Sequence, residues 1–230
     1  MPIAHKDDKR EVTLILASTR SGLLLPPQVL YAGKTDQVHP RVAFPDGWDV
    51  HHTPNHWATS VSTIRYAEKV LLPYINSIRE TISKPDAEAL ILHDVHASHR
   101  EENFLKLLSD NQCLVRFIPP NLTSELQPND QLLNRAFKAK LMNEYEDYYT
   151  SEFLKQFDLT DDVTTVSIDT RLVAIRNVHA RWMMNAFEEV SLNKKLIRCG
   201  WLNAGLLEEA NAPELINFQA STRLFDSDSE

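Results

Sequence analysis

Apolar residues along this chain fall into two rhythms. Short β-branched runs alternate with longer stretches at helical spacing, and the breaks coincide with Pro, Gly and Asp. Val12-Thr-Leu-Ile-Leu-Ala17 predicts a strand, Ser18–Gly22 a turn, and Gln28-Val-Leu-Tyr-Ala32 a second strand. The pair reads as an antiparallel hairpin. Pro26 and Pro27 ahead of the second arm place that arm on a sheet edge or after a bulge. Residues 33–57, rich in Gly, Pro, Asp and His, predict a loop turned at Pro45-Asp-Gly47, with Trp48 and Trp57 as anchors. From Thr59 the period becomes helical: Ile64, Ala67, Val70, Leu71, Tyr74, Ile75 and Ile78 share a face. Ser60 or Ser62 is the expected cap, and Pro73 predicts a kink.

Lys84-Pro-Asp86 ends that helix. Ala87–Leu92 is a nearly continuous apolar run, expected as a strand covered on both faces, with Asp94 at its carboxyl end. Glu101–Asp110 predicts a helix, and Cys113–Ile118 a buried strand stopped by Pro119-Pro120. Strand, helix, strand in that order predicts a right-handed parallel crossover. Ligands of open α/β sheets lie outside the carboxyl ends of such strands. Gln131–Phe157 predicts a long helix: Leu132, Leu133, Ala136, Phe137, Leu141 and Tyr145 form one face, and Arg135, Lys138 and Lys140 part of the other. The acidic segment 158–162 predicts a linker, Arg171–Val190 another helix, and Leu196–Gly205 the start of a last one. Residues 1–10 are expected to be frayed, and the acid-rich residues 207–230 disordered.

Composition narrows the class. Hydrophobic residues at 43% and charged residues at 24% are those of a globular domain. A net charge of −8 argues against a strong stand-alone duplex binder but leaves room for a local basic groove. Cys113 and Cys199 have no CxxC partner, so a cysteine zinc site and a disulfide framework are not expected, and a reducing compartment is favoured. No run is apolar enough for a membrane span, and the charged first ten residues are not a signal peptide.

Asp94 follows a strand, and Asp130 precedes a long helix, with 35 residues between the two acids. Two such carboxylates brought together would hold hard divalent cations through oxygen, Mg²⁺ or Mn²⁺, the chemistry of in-line phosphodiester displacement. On spacing alone the alternative, that Asp130 caps its helix, is favoured. His93, His96 and His99 read as neighbours around a turn rather than a histidine metal cluster. His51, His52 and His56 read as scattered loop residues rather than a zinc site. Trp182 and Trp201 read as core anchors of the carboxyl-terminal helices.

Specific motifs shift that balance. Asp94-Val-His96-Ala-Ser98-His99, Pro119-Pro-Asn-Leu-Thr123, Leu126-Gln-Pro-Asn-Asp130 and Ala136-Phe-Lys138 occur in that order. They are preceded by Gly22–Pro27 and Tyr31–Lys34, and followed by His179-Ala-Arg-Trp182 and Gly200–Gly205. The set resembles the DDE-superfamily endonuclease domain of pogo/Tigger-type transposases, the group that also gave rise to centromere protein B-like proteins, over roughly residues 11–206. The resemblance implies an α/β, RNase H-like fold: a mixed central sheet flanked by helices, with a carboxyl-terminal helical extension. The corresponding layout is 1–157 as the DDE domain, 158–206 as the extension and 207–230 as the tail. It makes Asp94 and Asp130 the second and third metal-binding acids and puts His96, His99, Arg135 and Lys138 near nucleic acid. It also implies Mg²⁺ or Mn²⁺ as cofactor, DNA as partner, and the nucleus as location. The strand bearing the first acid is not found, and Asp7 and Asp8 lack an apolar strand around them. The expectation is a DDE domain inactive as this chain, or one completed by an oligomer or partner chain supplying that strand. A protein-interaction module without a DNA role is the alternative.

Overall fold

The computed structural model describes residues 12–120 and 122–208. The amino-terminal segment and the tail from 209 lie outside them. Of the expected tail, Leu207 is buried in the core.

The hairpin forms as expected: β1 (Val12–Ile15) pairs antiparallel with β2 (Gln28–Ala32), Val12 opposite Tyr31 and Ile15 opposite Gln28. β2 is not an edge strand. β3 (Asp49–Thr53), inside the expected loop, pairs with it in parallel, so β2 lies at the centre of the order β1-β2-β3. Pro26 and Pro27 precede the strand and leave its ladder donors intact. Val29, Leu30 and Tyr31 are almost wholly buried.

A capping box opens α1 (Ser60–Tyr66): the Ser62 amide donates to Thr59 Oγ1, and the Thr59 amide donates to Ser62 Oγ. The cap is therefore Thr59, one residue before Ser60, and Ser62 takes part in the box as the third residue of the helix. A π-helical turn, Ala67–Leu71, links α1 to α2 (Leu72–Thr81). Pro73 cannot donate to the turn before it, and the widened turn absorbs the mismatch where a kink is expected.

β4 (Ala89–His93), α3 (Glu102–Asp110) and β5 (Cys113–Phe117) form the parallel crossover. Ala89, Ile91, Cys113 and Val115 face the core under α1–α3. The opposite face is bare: Leu90 and its register partner Leu114 are 64% and 42% exposed. β4 is thus covered on one face, not two. Arg79 on α2 is buried and ties this unit together, donating to the carbonyls of Ala87, Asn111 and Gln112.

After α4 (Thr123–Leu126) a second π-helical turn, Asn129–Leu133, leads into α5 (Asn134–Thr160), then α6 (Leu172–Leu192) and α7 (Lys194–Asn203). The expected α5 face packs inward. Leu132, Leu133 and Phe137 join Val190 of α6 and Leu196, Ile197 and Cys199 of α7, with Leu14 and Leu16 against them. Further along α5, Tyr145 meets Trp182 of α6 edge-on, with ring centroids 6.0 Å apart. Among the described residues the mixed α/β architecture holds two sheets, one of three strands and one of two. Among the described residues β1, β3, β4 and β5 each keep one unpaired edge.

Candidate functional site

β4 ends at His93, so Asp94 is the first residue beyond the parallel pair. Its carboxylate accepts from the His96 amide at 3.1 Å and from His99 Nδ1 at 2.6 Å, both on Oδ1. An ionised carboxylate only accepts, so the Nδ1 of His99 carries the hydrogen. The His99 hydrogen bond, aided by the His96 amide, holds the Asp94 carboxyl down at about 2. Asp94 is thus an anion at neutral pH, with its side chain 40% exposed and Oδ2 facing no hydrogen-bond donor among the described residues.

Three rings fix that pairing. His99 lies 4.3 Å from His93 and 5.7 Å from His96 between ring centroids, and Phe104 closes against His93 at 5.5 Å. His96 caps the short 3-10 helix Ala97–Arg100, its Nδ1 accepting from the Ser98 amide at 3.3 Å. In the neutral ring the hydrogen then sits on Nε2, a donor on an exposed residue. The histidines are turn neighbours, as their spacing suggests.

His93 is the group whose weight the sequence does not show. Its Nε2 is buried without a hydrogen-bond partner. Burial, with His99 beside it, lowers its pKa to about 4. Its folded value lies below the unfolded 6.5. Between pH 6.5 and 4 the unfolded chain therefore binds more protons, and the stability present above 6.5 is lost as pH falls through that window. Urea unfolding at pH 7 and pH 4.5 is expected to show a loss of about 2 kcal/mol from this residue. His93→Leu should remove that part of the slope; an unchanged slope in the variant refutes the assignment. Asp94 loses its own contribution only lower, between 3.8 and about 2.

Asp130 sits in the first turn of the second π-helical segment. It is exposed, and its Oδ1 accepts from the Asn134 side-chain amide. Pro128, not Asp130, holds the cap position, and no side-chain cap bond is made there. The neighbours of Asp130 are clamped from distant parts of the chain. Asn129 donates to the Leu16 carbonyl at 2.9 Å and accepts from Ser18 Oγ at 2.5 Å, while Trp201 Nε1 donates to Ser18 Oγ at 3.1 Å. Gly200 lets α7 approach the Pro128 carbonyl, with which a Cβ at that position would collide. Trp201 is thus a core anchor that also orients the turn bearing Asp130. Asn129 and Gly200 stand within motifs of the sequence, but nothing there shows that they and Ser18 meet.

On α5, Arg135 and Lys138 are exposed. Lys140, half-buried, pairs with Glu189 at 2.9 Å and Glu144 at 3.7 Å, so its charge is offset. Among the described residues Asp94 and Asp130 belong to no group of three metal-ligating side chains; the group found is Asp36, His39 and His52. His51 and His52 lie on β3 rather than in a loop.

The sequence matches the DDE superfamily endonuclease family over residues 9–201. Neither a curated protein nor a solved structure matches the chain.

Proposed function

The chain belongs to the DDE superfamily endonucleases, and on that premise we propose that it is a transposase-derived, nucleic-acid-binding domain of the pogo/Tigger type and RNase H-like ancestry. Asp94 and Asp130 would be two of its three metal acids. The observation that carries the reading is Asp94: a carboxylate at the end of a parallel strand, held ionised by His99 with one oxygen open. Mg²⁺ or Mn²⁺ suits these oxygen donors and, when bound, supplies charge at the attacking and leaving oxygens of a phosphodiester. His96 would donate from Nε2 to a phosphate oxygen, and Arg135 and Lys138 would track the backbone. As this chain alone it would not cleave. A third acid would arrive on a strand paired to a free sheet edge. A nuclear setting goes with DNA as substrate.

The test is duplex binding by the 230-residue protein across a salt series, with a nicking assay in Mg²⁺ and Mn²⁺. Binding should weaken with salt, and the Arg135→Gln, Lys138→Gln pair should flatten the log–log slope by about 2. No nicking is expected; metal-dependent nicking abolished by Asp94→Ala would show the chain to be an active nuclease. A second reading, a protein-interaction module, is favoured by the net charge of −8. The absence of salt-dependent DNA binding would select it.

A further inference from the structure

We propose that Asp36, His39 and His52 form a site for one transition-metal ion of the Zn²⁺ class, separate from the Asp94 and Asp130 turns, which fastens the β2–β3 connection onto β3. The short 3-10 helix Asp36–Val38 sets Asp36 and His39 three residues apart, on one side of a three-residue turn. His52 comes to them from β3. The three donor atoms all lie within 4.8 Å of one another. His52 Nδ1 is 3.3 Å from Asp36 Oδ1 and 3.4 Å from His39 Nε2. A tetrahedron with metal–ligand bonds of about 2.1 Å has edges of about 3.4 Å. Those two separations therefore already have the size that a shared ion requires.

The surroundings hold the ligands there. Gly33 donates to the Thr53 carbonyl at 2.9 Å, and Val38 packs so closely on Gly33 that a Cβ would collide with its Cγ1. At a φ of +155° the glycine lets the turn fold back onto β3. The His39 ring lies against Tyr31 at 5.8 Å and donates to the His51 backbone carbonyl, an outer contact of the kind that orients ligand imidazoles. Both imidazoles are largely buried, with 19% of each side chain exposed, whereas Asp36 is 87% exposed. Asp36 and His39 also border an open cavity of about 540 Å³, which gives an ion a route in.

Donor chemistry selects the ion. Two imidazoles and one carboxylate suit Zn²⁺, Co²⁺ or Ni²⁺ rather than Mg²⁺, and three protein ligands leave one position for water. Arg176 donates to the Gln37 carbonyl at 3.4 Å, and its charge opposes a cation. Affinity would rest on the nitrogen donors rather than on the local field.

The test uses the full chain, stripped with chelator and titrated with Zn²⁺ by calorimetry, with Co²⁺ absorption as a second probe. One equivalent should bind and raise the thermal midpoint, because an ion that binds only the folded state stabilises it. His39→Ala and His52→Ala should each weaken binding of that equivalent by more than about tenfold, since even outer-contact losses reach that size. Both should abolish the zinc-dependent rise in midpoint, whereas Asp94→Asn should retain it. Should His52→Ala fail to fold, Asp36→Asn, at an exposed side chain, gives the same reading. Unchanged Zn²⁺ stoichiometry and affinity in these variants, or no equivalent bound by the native chain, overturns the proposal.

Discussion

Asp49→Ala is expected to destabilise the chain by about 3 kcal/mol, the lower end of the range for removing one partner of a buried ion pair. Asp49 opens β3 and is 1% exposed. Its Oδ2 accepts from Gln28 Nε2 at 2.7 Å, and its Oδ1 from Arg65 Nε at 2.8 Å, with Lys69 Nζ at 3.4 Å. These bonds join the central strand β2 to α1, and Gln28 extends the link to the Ser62 carbonyl at 2.8 Å. Arg65 and Lys69 are 34% and 50% exposed, so once freed both can turn to water, which keeps the loss at that lower end. Asp49→Asn should lose less, because a neutral acceptor still meets Gln28. Urea unfolding at unchanged m-value measures both. A loss below about 1 kcal/mol for the alanine variant would show that the network is dispensable.

Asp49 also shows where the sequence is silent. Asp49-Val-His-His-Thr53 has no apolar alternation, so nothing in it announces a strand. Its place comes from parallel pairing to β2 and from Arg65, sixteen residues later. β1, β2, β4, β5 and the faces of α1 and α5 are legible as elements because their apolar runs and periods announce them. The π-helical turns are not, since a widened turn changes hydrogen bonding without changing which residues are apolar. Nor is the bare face of β4 and β5: Leu90 and Leu114 look no different from Ile91 and Val115, and only the placing of the helices tells them apart.

The candidate site divides in the same way. Asp94 with His96 and His99 is a local turn, readable within six residues. The clamp on Asn129 is not, because its partners lie 111 and 113 residues away, and Trp201 reaches Ser18 across 183. The zinc-class cluster joins residues three apart to one on the next strand, and the sequence of that strand has the character of a loop.

Gly200→Ala tests whether that long-range clamp holds the turn of Asp130. The added Cβ would collide with the Pro128 carbonyl oxygen, and the obstacle is backbone, so no side-chain rotation relieves it. α7 and the π-helical turn must separate, and Leu196, Ile197 and Cys199 lose packing against Leu132 and Leu133. Overpacking of this kind costs about 1–3 kcal/mol where the backbone can shift. With backbone on both sides of the clash we expect the upper end, offset by about 0.5–1 kcal/mol from replacing a glycine in a helix interior. The net expectation is about 2 kcal/mol, with a larger consequence for geometry. Pro128 precedes Asn129, whose bonds to Leu16 and Ser18 fix the start of the turn. Moving it turns Asp130 away while leaving Asp94 and His99 in place. Unfolding would report the stability loss. Amide shifts in NMR spectra should be large at Asn129–Leu133 and Ser18 and small at Asp94–His99. Shifts confined to α7, or a variant as stable as the native chain, would mean that Asp130 is positioned by its own helix alone.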